Sequence, residues 1–251
     1  MTAIKNLLKR CIPWTVRRHR YLIRHACNHL RYQFGPAPLN DFSDYDHYWA
    51  QRGEKVDAEG PLRRWVIAAE CIAEHSSLLD FGCGTGEFLT YIRSVKPTVK
   101  AKGLDISPRS VEMTRAGGIE ADVINIMSQE IQGQYDYVTC LDVLEHIPEA
   151  EIAFRRLKQA CRKQLIVSVP NIGYVWCRIR LAILGRFPLT NCQLHVKEHF
   201  RHWTPKDFRE WVEKQGLKVV RIEGQYAMPY MPYKKWPSLF ASGVVYVLER
   251  A

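Results

Sequence analysis

The segment Ser77-Leu78-Leu79-Asp80-Phe81-Gly82-Cys83-Gly84-Thr85-Gly86-Glu87-Phe88-Leu89 limits what this chain can fold into more than any other stretch. A short apolar strand ends at an acid, three glycines follow at alternate positions, and a helix begins. Glycine permits the sharp turn and lets backbone N–H groups approach a ligand without Cβ interference. A nicotinamide site wants Gly-x-Gly-x-x-Gly, and its third glycine would fall at the position of Glu87. The pattern is instead Asp-x-Gly-x-Gly-x-Gly, with a carboxylate where a pyrophosphate loop has no use for one.

The following residues extend an alternation of strand and helix. Lys100–Ser107 reads as a second strand ending in Asp105, which lies 19 residues past Gly86 (105 − 86). That is close to the spacing at which a carboxylate reaches an adenosine ribose. Two vicinal hydroxyls can donate to its two oxygens in charge-assisted bonds. Ser107-Pro108 predicts an N-cap with proline at the first helical position, and Gly117-Gly118 closes that helix. Gln134–Leu141 and the largely apolar Gln164–Asn171 read as two further strands, as in a parallel sheet buried on both faces. Between them, Ala121–Ile126 offers two registers for a polar residue at a strand end, Asp122 or Asn125.

Motif and spacing together resemble the class I S-adenosylmethionine (SAM) methyltransferases. Asp142-Val143-Leu144-Glu145-His146-Ile147-Pro148 is similar to the signature that follows the fourth strand in that superfamily. The resemblance covers about residues 42–250. It implies an α/β, Rossmann-like fold: a seven-stranded, mostly parallel sheet with helices on both faces. The cofactor would be SAM and the product S-adenosylhomocysteine (SAH), with no metal expected. Cofactor contacts would come from Asp80, Gly82, Cys83, Gly84, Gly86, Asp105, Ile106, Asn125, Ile126 and Leu141, Asp80 facing the cationic amino end of the methionine moiety.

Ser168–Tyr174, Gly185–Thr190, His199 and Asp207-Phe208 further resemble the methionine-biosynthesis W (MetW) branch and methyltransferases of cell-envelope glycan clusters. This chain departs from the former in its basic arm and its Asp-Val-Leu-Glu-His-Ile segment. A SAM sulfonium is already activated, so alignment and water exclusion carry most of the rate. A hydroxyl acceptor would gain from a general base, for which His146 and His199 are the candidates. Tyr48, Trp49, Asn171, His195 and His202 are expected on the acceptor side or in a lid. Asp142, Glu145 and His146, at i, i+3 and i+4, could share a helical face as metal ligands, as in some relatives; the expectation remains no metal.

Organisation and charge bear on partners. Residues 1–34 hold eight Lys/Arg and no Asp or Glu, out of a formal net charge of +10. With apolar residues at helical spacing, residues 1–38 read as a basic amphipathic arm and linker, and 39–251 as the catalytic domain with a substrate-side insertion at about 172–203. Such an arm suits an anionic membrane surface, self-packing or an oligomer contact. The eight cysteines include no Cys-x-x-Cys pair and read as reduced residues of a cytoplasmic protein. No apolar run is long enough to cross a bilayer. The leading expectation is O-methylation of a saccharide or lipid-linked cell-envelope precursor, such as lipopolysaccharide or O-antigen, at the cytoplasmic membrane face. A MetW-like SAM-binding accessory protein and an RNA methyltransferase are the alternatives; nucleic acid is not the expected partner. Oligomeric state stays open.

Overall fold

The computed structural model describes Ile23 and Cys27, both helical and exposed, and residues 61–188, 199–225 and 231–251. Tyr48, Trp49, His195 and the remainder of the basic arm lie outside the described residues. Seven strands form one sheet: β1 (Ser77–Phe81), β2 (Lys100–Asp105), β3 (Glu120–Val123), β4 (Tyr135–Leu141), β5 (Cys161–Pro170), β6 (Leu217–Gly224) and β7 (Gly243–Arg250). Their order is β3-β2-β1-β4-β5-β7-β6. The first five run parallel, and β7 is antiparallel to both β5 and β6.

Period-two alternation sends side chains to two cores, one on each face. Leu79 and Phe81 of β1, Val138 and Cys140 of β4, and Leu165, Val167 and Val169 of β5 enter one core; Leu78, Tyr137 and Ile166 enter the other. The first core is closed by α4 (Ala150–Ala160) through Ala153, Phe154 and Leu157, and by α6 (Pro205–Lys214) through Phe208 and Val212. The second is closed by α1 (Arg63–Cys71) through Ile67, Ala68 and Ala69, and by α2 (Glu87–Val95) through Phe88, Leu89 and Ile92. Apolar runs in the strands are therefore what burial on both faces requires.

Local signals set several boundaries. Ser107 Oγ accepts from the Ser110 amide at 3.1 Å and starts α3 (Pro108–Ala116). Thr204 and Asp207 form a reciprocal capping box at the start of α6. The third strand stops at Val123, which leaves Asn125 beyond its end and Asp122 inside it. The insertion helix α5 runs Val175–Leu184, so Ile172 belongs to the turn before it. A four-residue helix, α7 (Pro237–Phe240), precedes β7. Because β7 runs opposite to β5, pairing Gly243 with Pro170, α7 sits at the same carboxyl edge of the sheet as the loops after β1, β2, β4 and β5.

Candidate active site

Strand order reverses between β1 and β4, and a crevice at the carboxyl edge of such a switch point is where open α/β sheets bind ligands. The glycine loop lies there. Gly82, Gly84 and Gly86 have φ of 75°, 54° and 78°, a left-handed backbone that side chains other than glycine resist. Space is a second restriction. A Cβ on Gly82 would run into the Val143 side chain, and one on Gly86 would stand 2.9 Å from Thr114 Cγ2. The Gly82 and Cys83 amides donate to Leu104 O, tying the loop to β2.

Asp105 is 7 % exposed and holds this turn from the end of β2. Its Oδ2 accepts from the Gly84 amide at 2.8 Å and its Oδ1 from the Ser107 amide at 2.9 Å. Both carboxylate oxygens are thus set beside the glycine loop by backbone amides. Asp80 is 3 % exposed, and its Oδ1 accepts from the Thr139 hydroxyl at 2.7 Å. Burial pushes its carboxyl up to about 7, the Thr139 bond opposing; the Asp105 charge adds to the rise and Arg64 works against it.

Some residues expected at the cofactor take other places. The Cys83 side chain is buried in the second core, with its Sγ where a Cβ on Gly103 would come within 2.7 Å, so only its backbone can face the crevice. Burial raises that thiol well above its usual range. The Ile126 side chain likewise packs in the first core. Ile106, 47 % exposed just after β2, is open to solvent, and Leu141 ends β4 at the crevice edge. Asn125 is exposed and its Oδ1 accepts from the Met127 amide at 3.0 Å. Asp122 lies inside β3 and pairs with Lys102 at 2.6 Å and Arg115 at 2.7 Å, whereas Asn125 lies beyond the strand's carboxyl end.

The loop after β4 differs from the helical face expected of it. Leu144–His146 is a single 3₁₀ turn, and Asp142 before it has φ 56°, unusual for any residue but glycine. Asp142 is not part of the cluster that Glu145 and His146 form. Its Oδ1 accepts from Ser168 Oγ at 2.5 Å and its Oδ2 pairs with Arg64 at 3.2 Å. This Arg64–Asp142–Ser168 chain joins α1, β4 and β5 beside Asp80. The sequence carries no local signal for it, because its members stand 78 and 26 positions apart (142 − 64 and 168 − 142).

His199 takes the position beside His146 that Asp142 does not. The Phe200 and Arg201 amides donate to Glu145 O at 2.8 and 3.2 Å, and Arg201 forks onto Glu151 at 3.1 and 2.8 Å. Those bonds deliver His199 to the 3₁₀ turn, edge-on to His146 with ring centroids 4.8 Å apart. His202 follows at 6.2 Å from His199, and Phe187 at 5.1 Å from His202. His199 is held down at about 3, by burial first and then by the His146 and His202 charges, so it is neutral at physiological pH. Glu145, His146 and His199 offer ligand atoms all within 4.8 Å of one another, which is close enough to hold a divalent cation. Asn171 is a further correction. It is 2 % exposed, its Nδ2 donates to Ala241 O at 2.9 Å and Ser238 O at 3.0 Å, and its Oδ1 accepts from the Gly173 amide, so it fastens α5 to α7 and does not face an acceptor.

The residues present fit SAM: a cradle that a Cβ would fill, and two buried carboxylates at adjacent strand ends. Asp80, the glycine loop and Asp105 are the groups that would hold it. Comparison with known proteins agrees. Residues 48–222 match the family described as a methyltransferase domain. The chain is 25 % identical over 213 residues to the ubiquinone biosynthesis O-methyltransferase of Azoarcus sp. strain BH72, covering 80 % of this chain and 89 % of that one. The enzyme of the same name from Xanthomonas oryzae pv. oryzae is 22 % identical over 209 residues, covering 78 % and 87 %. Among solved structures, the fold is similar to that of a SAM-dependent methyltransferase from Clostridium acetobutylicum, with a TM-score of 0.56 and 13 % identity over 82 % of this chain and 99 % of that one. It is also similar to SAH-bound magnesium protoporphyrin IX methyltransferase from Synechocystis, with a TM-score of 0.53 and 20 % identity over 74 % and 79 %. With the family's match spanning the crevice and its strands, this chain belongs to the methyltransferase domain family and is a SAM-dependent methyltransferase.

Proposed function

We propose that the protein transfers the SAM methyl group to a hydroxyl of a lipid-linked acceptor at the inner membrane face, with His146 as the base. The observation that supports this most is the His146–His199 ring pair set on the turn that follows β4. When bound, SAM supplies an electrophilic methyl group, and the protein's part is to align the acceptor oxygen and receive its proton. A base held near 3, as His199 is, is poorly matched to a hydroxyl. His146 is the other ring of the pair, and Glu145 Oε1 lies 4.0 Å from its Nε2, where it would face an imidazolium. His199, neutral and buried against it, positions that ring. The O-methyltransferase names of the two curated relatives favour oxygen as the acceptor atom.

The Glu145, His146 and His199 ligand set supports a second reading, in which a divalent cation polarises the acceptor hydroxyl. Radiolabelled SAM incubated with membrane extracts, with and without chelator, separates the readings. Label in the lipid fraction that survives chelation supports the base. Label lost on chelation and restored by a divalent salt supports the cation. No label in either lipid or saccharide fractions overturns both.

A further inference from the structure

The last turn of α5 and the residues after it project from the domain as an apolar knob. Leu181 is 55 % exposed, Ile183 73 %, Leu184 43 % and Phe187 56 %. Residues 181 to 184 cover nearly a full helical turn, so this end of the helix has no side packed against the described body. Ordinary surfaces scatter single apolar residues; a contiguous patch of large ones marks a contact with something apolar. Two exposed arginines, Arg178 and Arg186, flank the knob. The surrounding sequence is one-sided in charge: from residue 152 to residue 197 there is no Asp or Glu.

Apolar tip and basic flank together fit one surface, an anionic lipid bilayer, in which the aliphatic side chains enter the acyl boundary and the arginines meet headgroups. Ten residues make α5 about 15 Å long, half of a hydrocarbon core of about 30 Å, so it can lie in the interface and not cross it. No helix among the described residues is long and apolar enough to cross. Phe187 also begins the ring series that runs through His202 and His199 to His146. An acceptor with an acyl or isoprenoid tail could thus leave its tail in the bilayer while its hydroxyl reaches His146.

We infer that the α5 tip, Leu181 to Phe187, is an interfacial anchor for anionic membranes that sets the methyl-transfer site at the lipid surface. This deepens the lipid-linked acceptor reading and rests on it. The test sediments the full-length protein with vesicles of phosphatidylcholine alone or with about a third phosphatidylglycerol. Wild type should pellet with the anionic vesicles and be released by salt. The double variant Leu181→Glu, Ile183→Glu should bind about tenfold less, with thermal midpoint and SAH affinity unchanged. Equal pelleting of variant and wild type would overturn the assignment to α5 and move the lipid contact to another segment, such as residues 1–34. No pelleting of wild type overturns the lipid occupant; if the wild type is then a dimer that the double variant dissolves, a second copy covers the tip. Vesicle binding needs no acceptor, so its failure is distinguishable from a failure of the methyl-transfer assay.

Discussion

The two sides of the crevice are built by opposite means. On the β1–β2 side, shape comes from backbone: left-handed glycines, loop amides bonded to Leu104 O, and one carboxylate at each strand end. On the β4–β5 side, shape comes from side chains carried by distant segments, His199 reaching His146 through the amides of Phe200 and Arg201. A backbone cradle binds a part common to every turnover, and side chains on loops can change with the acceptor. Changes on the first side should therefore appear in cofactor affinity, and changes on the second in turnover.

The largest expected effect tests the second half of that contrast. His146→Gln should lower kcat by about 10²- to 10⁴-fold, the range for a general base, and leave SAH affinity as it is. A matching loss of SAH affinity would break the division. On the cofactor side, Gly82→Ala meets both a left-handed backbone and the Val143 side chain. It should weaken SAH binding about 100-fold in calorimetry, from roughly 1–2 kcal/mol of backbone strain plus loop displacement.

Asp80 makes the contrast sensitive to pH. A carboxyl raised to about 7 is protonated in the folded protein where the unfolded chain, at its ordinary value near 3.8, is ionised. Its favourable contribution to stability is thus present in acid and is lost as pH rises from about 4 through 7. A cationic ligand needs the ionised form, so SAH affinity should fall about tenfold per unit as pH drops below 7, and Asp80→Asn should flatten that slope. An unchanged slope in the variant would remove Asp80 from the cofactor's amino end. The smallest effect belongs to the Arg64–Asp142–Ser168 chain. Ser168→Ala should cost about 1 kcal/mol in denaturant unfolding, the net worth of a hydrogen bond, with little change in SAH affinity.

The same contrast explains what could be read in the sequence. β1, the glycine loop, Asp105 and the cap at Ser107 are governed by nearby residues, and all were legible. The alternating apolar strands showed the sheet for the same reason. The acceptor side was legible only as a set of names: His146 and His199 could be proposed, but the contact between them depends on a return of the chain 53 residues later (199 − 146). The helical face drawn through Asp142, Glu145 and His146 failed because a left-handed Asp142 carries no sequence signal. Asn171 looked like an acceptor contact because it ends a strand at the crevice, and only the fold shows that α7 takes its amide. The helix α4 at Ala150–Ala160 had no capping signal to mark its start, since Glu149 makes no side-chain cap bond there.

Calorimetric titration of SAH into wild type, Asp105→Ala and His199→Gln tests the division most directly. Wild type should bind at one site. Asp105→Ala should lose about 1.5–3 kcal/mol, the worth of hydrogen bonds to a charged group. His199→Gln should bind as wild type does while failing in turnover. An Asp105→Ala protein that is folded and binds SAH with wild-type affinity, or a His199→Gln protein that loses SAH along with activity, would contradict the account.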